Sequence, residues 1–163
     1  MQEILSGTLA IDLGNTNTVI AFQGEKETTP TLIDIPSITK SPGIIPTAIW
    51  FEDNFKKPLI GMQAIDLANH INQDKFFYSN FKRLIGNPFE KFNSKKLSPE
   101  ESGEKFFKIL WENIPTHFEI KRLVLTAPID TYKGYRKWLI NICRSISIKE
   151  IALVDEPTAA AIG

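Results

Sequence analysis

The sequence of 163 residues has a single cysteine, Cys143, and no excess of either charge. One thiol excludes an intramolecular disulfide and a thiolate zinc cluster. Because 19 Lys and Arg balance 19 Asp and Glu, the chain has no overall basic field to attract nucleic acid or anionic lipid. We therefore expect no nucleic-acid partner.

Long apolar runs and a secretion signal are also missing. No stretch approaches the ~18 consecutive apolar residues of a membrane-spanning helix, and the Met-Gln-Glu-Ile start has neither the basic nor the apolar region of a signal peptide. We expect a cytoplasmic protein with no membrane partner. The length suits one well-cored domain, in which folding would bury roughly 70% of the surface that the unfolded chain exposes.

Three common signatures of nucleotide and hydrolase sites are absent as well. The sequence contains no Gly-x-x-x-x-Gly-Lys-Ser/Thr, no Gly-x-Gly-x-x-Gly and no Gly-x-Ser-x-Gly. A P-loop, a dinucleotide-binding turn and a serine nucleophile elbow are therefore not supported.

What is present is a run of strand patterns followed by alternating helices and strands. Strands are predicted at 8–12, 18–22, 31–35, 47–51, 123–126 and 151–154. Helices are predicted at 61–71, 76–85, 99–114, from about 131, and from 156 onward. Ser98, Pro99 and Glu101 form a capping-box pattern at the start of the third helix. The order predicts an α/β unit in which an antiparallel meander leads into parallel strands.

The richest local signal lies at 9–22, where two β-prone runs flank a polar turn. Gly14 has no Cβ and lets backbone amides approach an anion, while Thr16 and Thr18 add hydroxyls. Asp12 would repel a phosphate, so we expect it to hold a hydrated Mg²⁺ or to orient a water. An ordinary hairpin, with Asn and Gly chosen for turn geometry, explains the same residues.

Three separated stretches resemble the nucleotide-binding domain of the DnaK-type seventy-kilodalton heat-shock chaperones. They are Asp-Leu-Gly-Asn-Thr-Asn-Thr at 12–18, Lys-Arg-Leu-Ile-Gly at 82–86 and Asp-Glu-Pro-Thr-Ala-Ala-Ala at 155–161. Looser matches cover 45–47, 61–64 and 125–128. The first and third motifs recur across the actin and sugar-kinase superfamily, and the pentapeptide is what favours the chaperones.

The resemblance implies an α/β fold of the ribonuclease-H-like actin and chaperone ATPase type. One lobe would contain a five-stranded mixed sheet with flanking helices and a small inserted subdomain. Residues 1–35 and 99–163 would form the core subdomain, and residues 36–98 the inserted subdomain that carries the pentapeptide. Because the final predicted helix is short and the resemblance covers only the first lobe, we expect the chain to be part of a larger architecture.

The resemblance also implies a site for ATP or ADP with Mg²⁺. Gly14, Asn15, Thr16 and Asn17 would cradle the phosphates, and Lys82 would position the terminal phosphate and the attacking water. From the residues alone, Lys82 beside Arg83 is more typical of a solvated pair of cations on a helix.

Four more residues have implied roles. Asp12 and Glu156 would contact Mg²⁺ only through its waters, and Pro128 and Arg136 would correspond to the family's allosteric switch and relay. From the residues alone, Glu156 equally fits a charge that complements a helix dipole, and Arg136 the surface of an amphipathic helix.

The implied function is the N-terminal lobe of an ATP-hydrolysing chaperone, weak or inactive as an ATPase by itself. The implied partners are the second lobe, a peptide-binding domain, a J-domain co-chaperone, a nucleotide exchange factor and unfolded peptides. Asn15 replaces the family's threonine and the segment after Gly86 is shorter, which leaves a non-hydrolysing scaffold or regulatory protein of the same fold as an alternative. Another ATPase of the actin and sugar-kinase superfamily is a second alternative.

Overall fold

The computed structural model describes residues 3–52, 57–71, 75–87, 96–128, 133–146, 148, 150–156 and 158–159. The strands are β1 (Leu5–Leu13), β2 (Asn17–Gly24), β3 (Thr31–Leu32), β4 (Ile44–Pro46), β5 (Ala48–Trp50), β6 (Leu59–Ile60), β7 (Phe77–Ser79), β8 (Phe118–Ala127) and β9 (Glu150–Asp155). The helices are α1 (Met62–Ile71), α2 (Pro99–Glu112) and α3 (Lys133–Arg144), with a 3-10 turn at Lys82–Leu84. No helix in these ranges is long and apolar enough to cross a bilayer.

The larger sheet is mixed and has the strand order β3-β2-β1-β8-β9, with β4 also paired to β2. Strand β1 runs antiparallel to β2 and parallel to β8, which is parallel to β9. Because β1 occupies one edge of β2, both β3 and β4 pair with the other edge. The described sheet therefore has six strands, where five were expected.

Alternating burial along the central strands builds the core. Leu9, Ile11 and Leu13 of β1 are buried together with Ile20 and Phe22 of β2. They share one apolar cluster with residues of α2 and α3, namely Phe106, Phe107, Leu110, Tyr135 and Leu139. Each such side chain contributes about 1.5–3 kcal/mol when it leaves water, so this cluster dominates the stability of the fold.

Helix α2 begins as its sequence predicts. The Ser98 hydroxyl accepts a hydrogen bond from the Glu101 amide, and the Glu101 carboxylate accepts one from the Ser98 amide. This reciprocal capping box satisfies two amides that the first turn leaves without partners.

A second, three-stranded sheet has the order β6-β5-β7, and α1 packs on β5. All its pairs are antiparallel. A separate small apolar cluster centred on Ala48, Trp50 and Ala64 joins this sheet to α1. The segment from β5 to β7 thus forms its own layer. Along the sequence, this segment lies between β4 and α2.

The helix predicted at 76–85 is wrong. Residues Phe77–Ser79 form β7, which pairs with β5, and Asn80 then takes a left-handed conformation with φ of 56°. Only Lys82–Leu84 is helical, as a single 3-10 turn. The aromatic residues have helical spacing, but pairing with β5 determines the structure of this segment. Because β5 is far away in the sequence, local periodicity cannot reveal this pairing.

The last predicted helix lies largely outside the described residues. Glu156, Thr158 and Ala159 have helical backbone directly after β9, as expected. Pro157 and residues 160–163, which include part of the 155–161 motif, lie outside the described residues.

Candidate functional site

The turn between β1 and β2 is closed by close backbone approach. The two strands pair as far as Leu13 and Thr18, and the Gly14 amide donates to the Asp12 carbonyl at 3.0 Å. A Cβ on Gly14 would lie 2.1 Å from the Asn17 carbonyl oxygen. Closing the turn therefore requires glycine at position 14 even without a ligand, as the ordinary-hairpin interpretation predicts. Gly14 by itself is thus no evidence for a bound anion.

Thr47 anchors this turn from the chain that follows β4. Its amide donates to the Thr16 carbonyl at 2.8 Å, and its hydroxyl lies 2.9 Å from that of Thr18. Both threonine side chains are buried. The Thr18 hydroxyl therefore stabilises the turn and does not extend a ligand site, in contrast to the sequence expectation.

Asn15 connects the turn to the segment that carries Lys82. Its amide nitrogen donates to the Asn80 side-chain oxygen at 3.0 Å. The Asn15 side-chain oxygen is buried and has no hydrogen-bond partner among the residues that the structure describes. The carboxamide is thus held toward Asn80, two residues before Lys82.

Acidic side chains collect where the parallel strands end. Strands β1, β8 and β9 are parallel, so their carboxyl ends lie at one edge of the sheet. Asp12 lies near the end of β1 and its carboxylate accepts a hydrogen bond from the Thr126 hydroxyl of β8. Glu156 directly follows β9. In α/β sheets this edge is where ligands bind.

Lys82 reaches the same edge from the 3-10 turn that follows β7. Its ammonium nitrogen lies 2.5 Å from the Glu156 carboxylate, and its side chain is only 10% exposed against 35% for Glu156. The interpretation of Lys82 as a solvated surface cation is therefore wrong. The structure brings together two charged residues that are 74 positions apart in the sequence.

Tyr135 on α3 completes this group, which we call the Lys82 cluster: Asp12, Lys82, Tyr135 and Glu156. The Lys82 nitrogen lies 5.7 Å from the centre of the Tyr135 ring. Burial raises the pKa of the Tyr135 hydroxyl, and the negative charges of Glu156 and Asp12 raise this pKa further. Tyr135 falls within the helix predicted from about 131, and nothing in the sequence indicated its place beside these charges.

A contact between two glycines positions the Lys82 segment against α3. A Cβ on Gly86 would lie 2.7 Å from the Gly134 backbone, and Gly86 also has a positive φ of 74°. The Gly86 amide donates to the Glu100 carboxylate at 2.8 Å, and the Glu100 carbonyl accepts from the Trp138 indole at 3.2 Å. The final glycine of the pentapeptide is therefore required by packing, and Gly134 was missed because its partner is distant in sequence.

Arg136 and Pro128 belong to elements already described, since Arg136 lies on α3 next to Tyr135 in sequence and Pro128 follows β8. The Arg136 guanidinium forms an ion pair with Asp155, the residue before Glu156, and both side chains are partly exposed. Arg136 thus links α3 to the end of β9 and is more than an isolated surface charge.

The described residues hold no group of three or more His, Cys, Asp or Glu side chains that could bind a metal directly. Asp12 and Glu156 are the carboxylates of the cluster. A hydrated Mg²⁺ fits two such carboxylates, because Mg²⁺ usually keeps several waters and takes one or two protein carboxylates.

A cavity of about 400 Å³ opens on the other side of the turn, toward the small sheet. Asn15, Thr16 and Asn17 line it together with Thr47 and Asn80, whereas the members of the Lys82 cluster do not. The turn therefore separates a largely apolar cavity from the charged cluster.

A mixed sheet with helices and an inserted sheet is consistent with one lobe of an actin-like ATPase. The chain is 26% identical over 157 residues to the chaperone protein DnaK of Mycoplasmopsis synoviae, and 26% identical over 161 residues to that of Thermosipho melanesiensis. It is 27% identical over 158 residues to that of Mycoplasma mobile. The chain is thus a sequence relative of the DnaK-type heat-shock chaperones, and the resemblance in its motifs is confirmed.

These matches cover 94% of this chain and 24–25% of each relative. The chain therefore spans about a quarter of the length of the curated relatives it matches. No family model matches the sequence.

Proposed function

We propose that this chain forms the first nucleotide-binding lobe of a cytoplasmic DnaK-type chaperone and contacts the phosphates of Mg²⁺-bound ATP or ADP. The observation that carries the proposal is the Lys82 to Glu156 contact. Two motifs far apart in sequence meet at the carboxyl edge of a mixed sheet, beside Asp12. The larger sheet would be of the ribonuclease-H-like kind, with 1–35 and 99–163 as its subdomain. Residues 36–98 would form the inserted subdomain, apart from β4, which pairs with β2 in the larger sheet.

Each residue has a defined part in this proposal. The turn of Gly14, Asn15, Thr16 and Asn17 cradles phosphate oxygens through amides other than that of Gly14, which already donates to Asp12. Lys82 neutralises the terminal phosphate and orients the attacking water. Here Mg²⁺ would supply charge neutralisation on the phosphates.

The remaining charged groups stabilise this arrangement without contacting the phosphates themselves. Asp12 and Glu156 would hold the ion through its waters. Arg136, paired with Asp155, and Pro128 transmit the state of this edge to α3 and β8.

A full cycle of ATP binding and hydrolysis needs further parts of the chaperone and further proteins, including one that contacts the other side of the phosphates. These are a second lobe, a peptide-binding domain, a J-domain co-chaperone, a nucleotide exchange factor and unfolded peptide clients. This lobe alone would lack half of the contacts to the phosphates. If a complete site binds at about 1 μM, or roughly −8 kcal/mol, losing half of that free energy moves the dissociation constant into the millimolar range.

The test is titration of the chain with Mg-ATP, followed by phosphorus NMR. We expect millimolar affinity and negligible turnover. Lys82→Ala should abolish measurable binding, because it removes the cation that offsets two carboxylates. Arg83→Ala is the matched control, since Arg83 lies on the same 3-10 turn but is exposed, and binding should persist. Equal binding by wild type and Lys82→Ala contradicts the proposal. Micromolar binding by the chain would overturn only the expectation that this lobe alone binds weakly.

The hydrogen bond between Asn15 and Asn80 favours a second candidate, a non-hydrolysing scaffold of the same fold. It engages the side-chain nitrogen of the residue that replaces the family's threonine, so this nitrogen is not free to donate to a phosphate. Asn15→Thr in the polypeptide that carries both lobes separates the two. Turnover that stays at zero supports the scaffold, and raised ATP hydrolysis supports the enzyme.

A further inference from the structure

The Tyr135 side chain is a buried polar group at the Lys82 cluster that the fold does not satisfy. It is 1% exposed, and its hydroxyl has no hydrogen-bond partner within the described ranges. A buried hydroxyl without a partner destabilises a folded chain, whereas phenylalanine would fill the same space without that loss. The hydroxyl therefore contributes nothing that the fold itself requires.

The surroundings of the hydroxyl define what it can bind. Glu156 and Asp12 act on it electrostatically, yet neither carboxylate is within hydrogen-bond distance. Burial and these charges raise the pKa of the hydroxyl, so it stays protonated at neutral pH and acts as a donor. Lys82, at 5.7 Å from the ring centre, supplies the nearby positive charge. An anionic oxygen that reached both the Lys82 ammonium and this hydroxyl would satisfy both groups.

We propose that the Tyr135 hydroxyl is a phosphate-binding donor that acts with Lys82 on the same phosphate group. The proposal rests on the proposed function, since it assigns a further residue to that site. The Tyr135 ring packs near Trp138, with centroids 5.5 Å apart, and faces the Lys82 ammonium. Both ring contacts are kept when only the hydroxyl is removed.

Tyr135→Phe therefore isolates the hydroxyl. Thermal unfolding without ligand should occur at the same or a higher temperature than in wild type, because a buried unpartnered group has been deleted. The dissociation constants for Mg-ATP and for magnesium tripolyphosphate, measured by phosphorus NMR, should rise about tenfold, as expected for a hydrogen bond to a charged group. Tripolyphosphate reports on the phosphate contact without the nucleoside.

Tyr78→Phe is the matched control. Tyr78 is also fully buried, but its hydroxyl accepts a hydrogen bond from the Leu97 amide at 3.4 Å. Removing this hydroxyl should lower the unfolding temperature and leave both dissociation constants unchanged below the transition.

The outcomes separate the two proposals. Wild-type affinity in Tyr135→Phe overturns the role of the hydroxyl while the nucleotide site stands. A lower unfolding temperature in Tyr135→Phe also overturns it, because the hydroxyl would then serve the fold. If wild type binds neither Mg-ATP nor tripolyphosphate at millimolar concentrations, the proposed function fails and the role of Tyr135 fails with it.

Discussion

The β1–β2 turn and the Lys82 cluster lie at the same edge of the sheet and differ in how fully the fold accounts for them. In the turn, position 14 must be glycine because a Cβ would clash with the Asn17 carbonyl, and Thr47 forms hydrogen bonds with both Thr16 and Thr18. In the cluster, a nearly buried ammonium meets a partly exposed carboxylate, beside a phenol that has no described hydrogen-bond partner.

The difference shows which motif residues are informative. A glycine or threonine in a phosphate-like turn is needed for the hairpin even without a ligand. A buried cation and an unsatisfied hydroxyl are a cost to the folded state, so they point more directly to a ligand. Changes in the turn should therefore alter stability first, and changes in the cluster should separate stability from binding.

The largest expected effect on stability is in the turn. Gly14→Ala places a Cβ 2.1 Å from a backbone oxygen that cannot move aside as a side chain would. We expect a loss of about 3 kcal/mol in the free energy of unfolding, measured with urea. Gly24→Ala is the control, because its Cβ would meet only the flexible Glu27 side chain at 3.2 Å, and it should cost under about 1 kcal/mol. Equal losses would show that the turn is not under special constraint.

The next effect tests the asymmetry of the ion pair. Glu156→Gln leaves the nearly buried Lys82 ammonium without its carboxylate, and we expect a loss of about 2 kcal/mol. Lys82→Met leaves a carboxylate that water reaches, so its cost should stay below about 1 kcal/mol. Urea unfolding of the two variants measures the difference. The reverse order would mean that the carboxylate, and not the ammonium, is the poorly solvated partner.

The smallest effect sharpens the account of the turn. Thr18→Val leaves the buried Thr47 hydroxyl without the Thr18 oxygen and should cost about 1–2 kcal/mol. The double variant with Thr47→Val should recover part of this loss, because no polar group is then left unpaired. Additive losses in this double-mutant cycle would show that the two hydroxyls act independently.

Local signals predicted the parts of the fold whose causes are local. The capping box at Ser98 and Glu101 and the two β-prone runs that form β1 and β2 depend on neighbours a few residues away, and both were confirmed. The two-residue β6 and three-residue β4 are too short for a pattern to emerge. The helix predicted over β7 failed because the strand is defined by its pairing with β5.

The site shows the same division. The residues by themselves favoured a surface role for Lys82, and only the resemblance to a family predicted its place near Glu156. Tyr135 and Gly134 gave no signal, since a tyrosine on an apolar helix face and a lone glycine have many ordinary explanations. Their importance comes from Lys82 and Gly86, which chain folding brings close from about fifty positions earlier.

The two hydrogen bonds of Glu100 couple the motions of the Lys82 turn and α3. Its carboxylate holds the turn that ends at Gly86, and its carbonyl holds the Trp138 indole on α3. One residue at the start of α2 thus clamps both walls around the ammonium and the phenol, so these walls should shift as a rigid unit. A displacement of α2 would then carry the cationic and aromatic groups together across the sheet edge and alter their distance from Asp12 while preserving their spacing from each other.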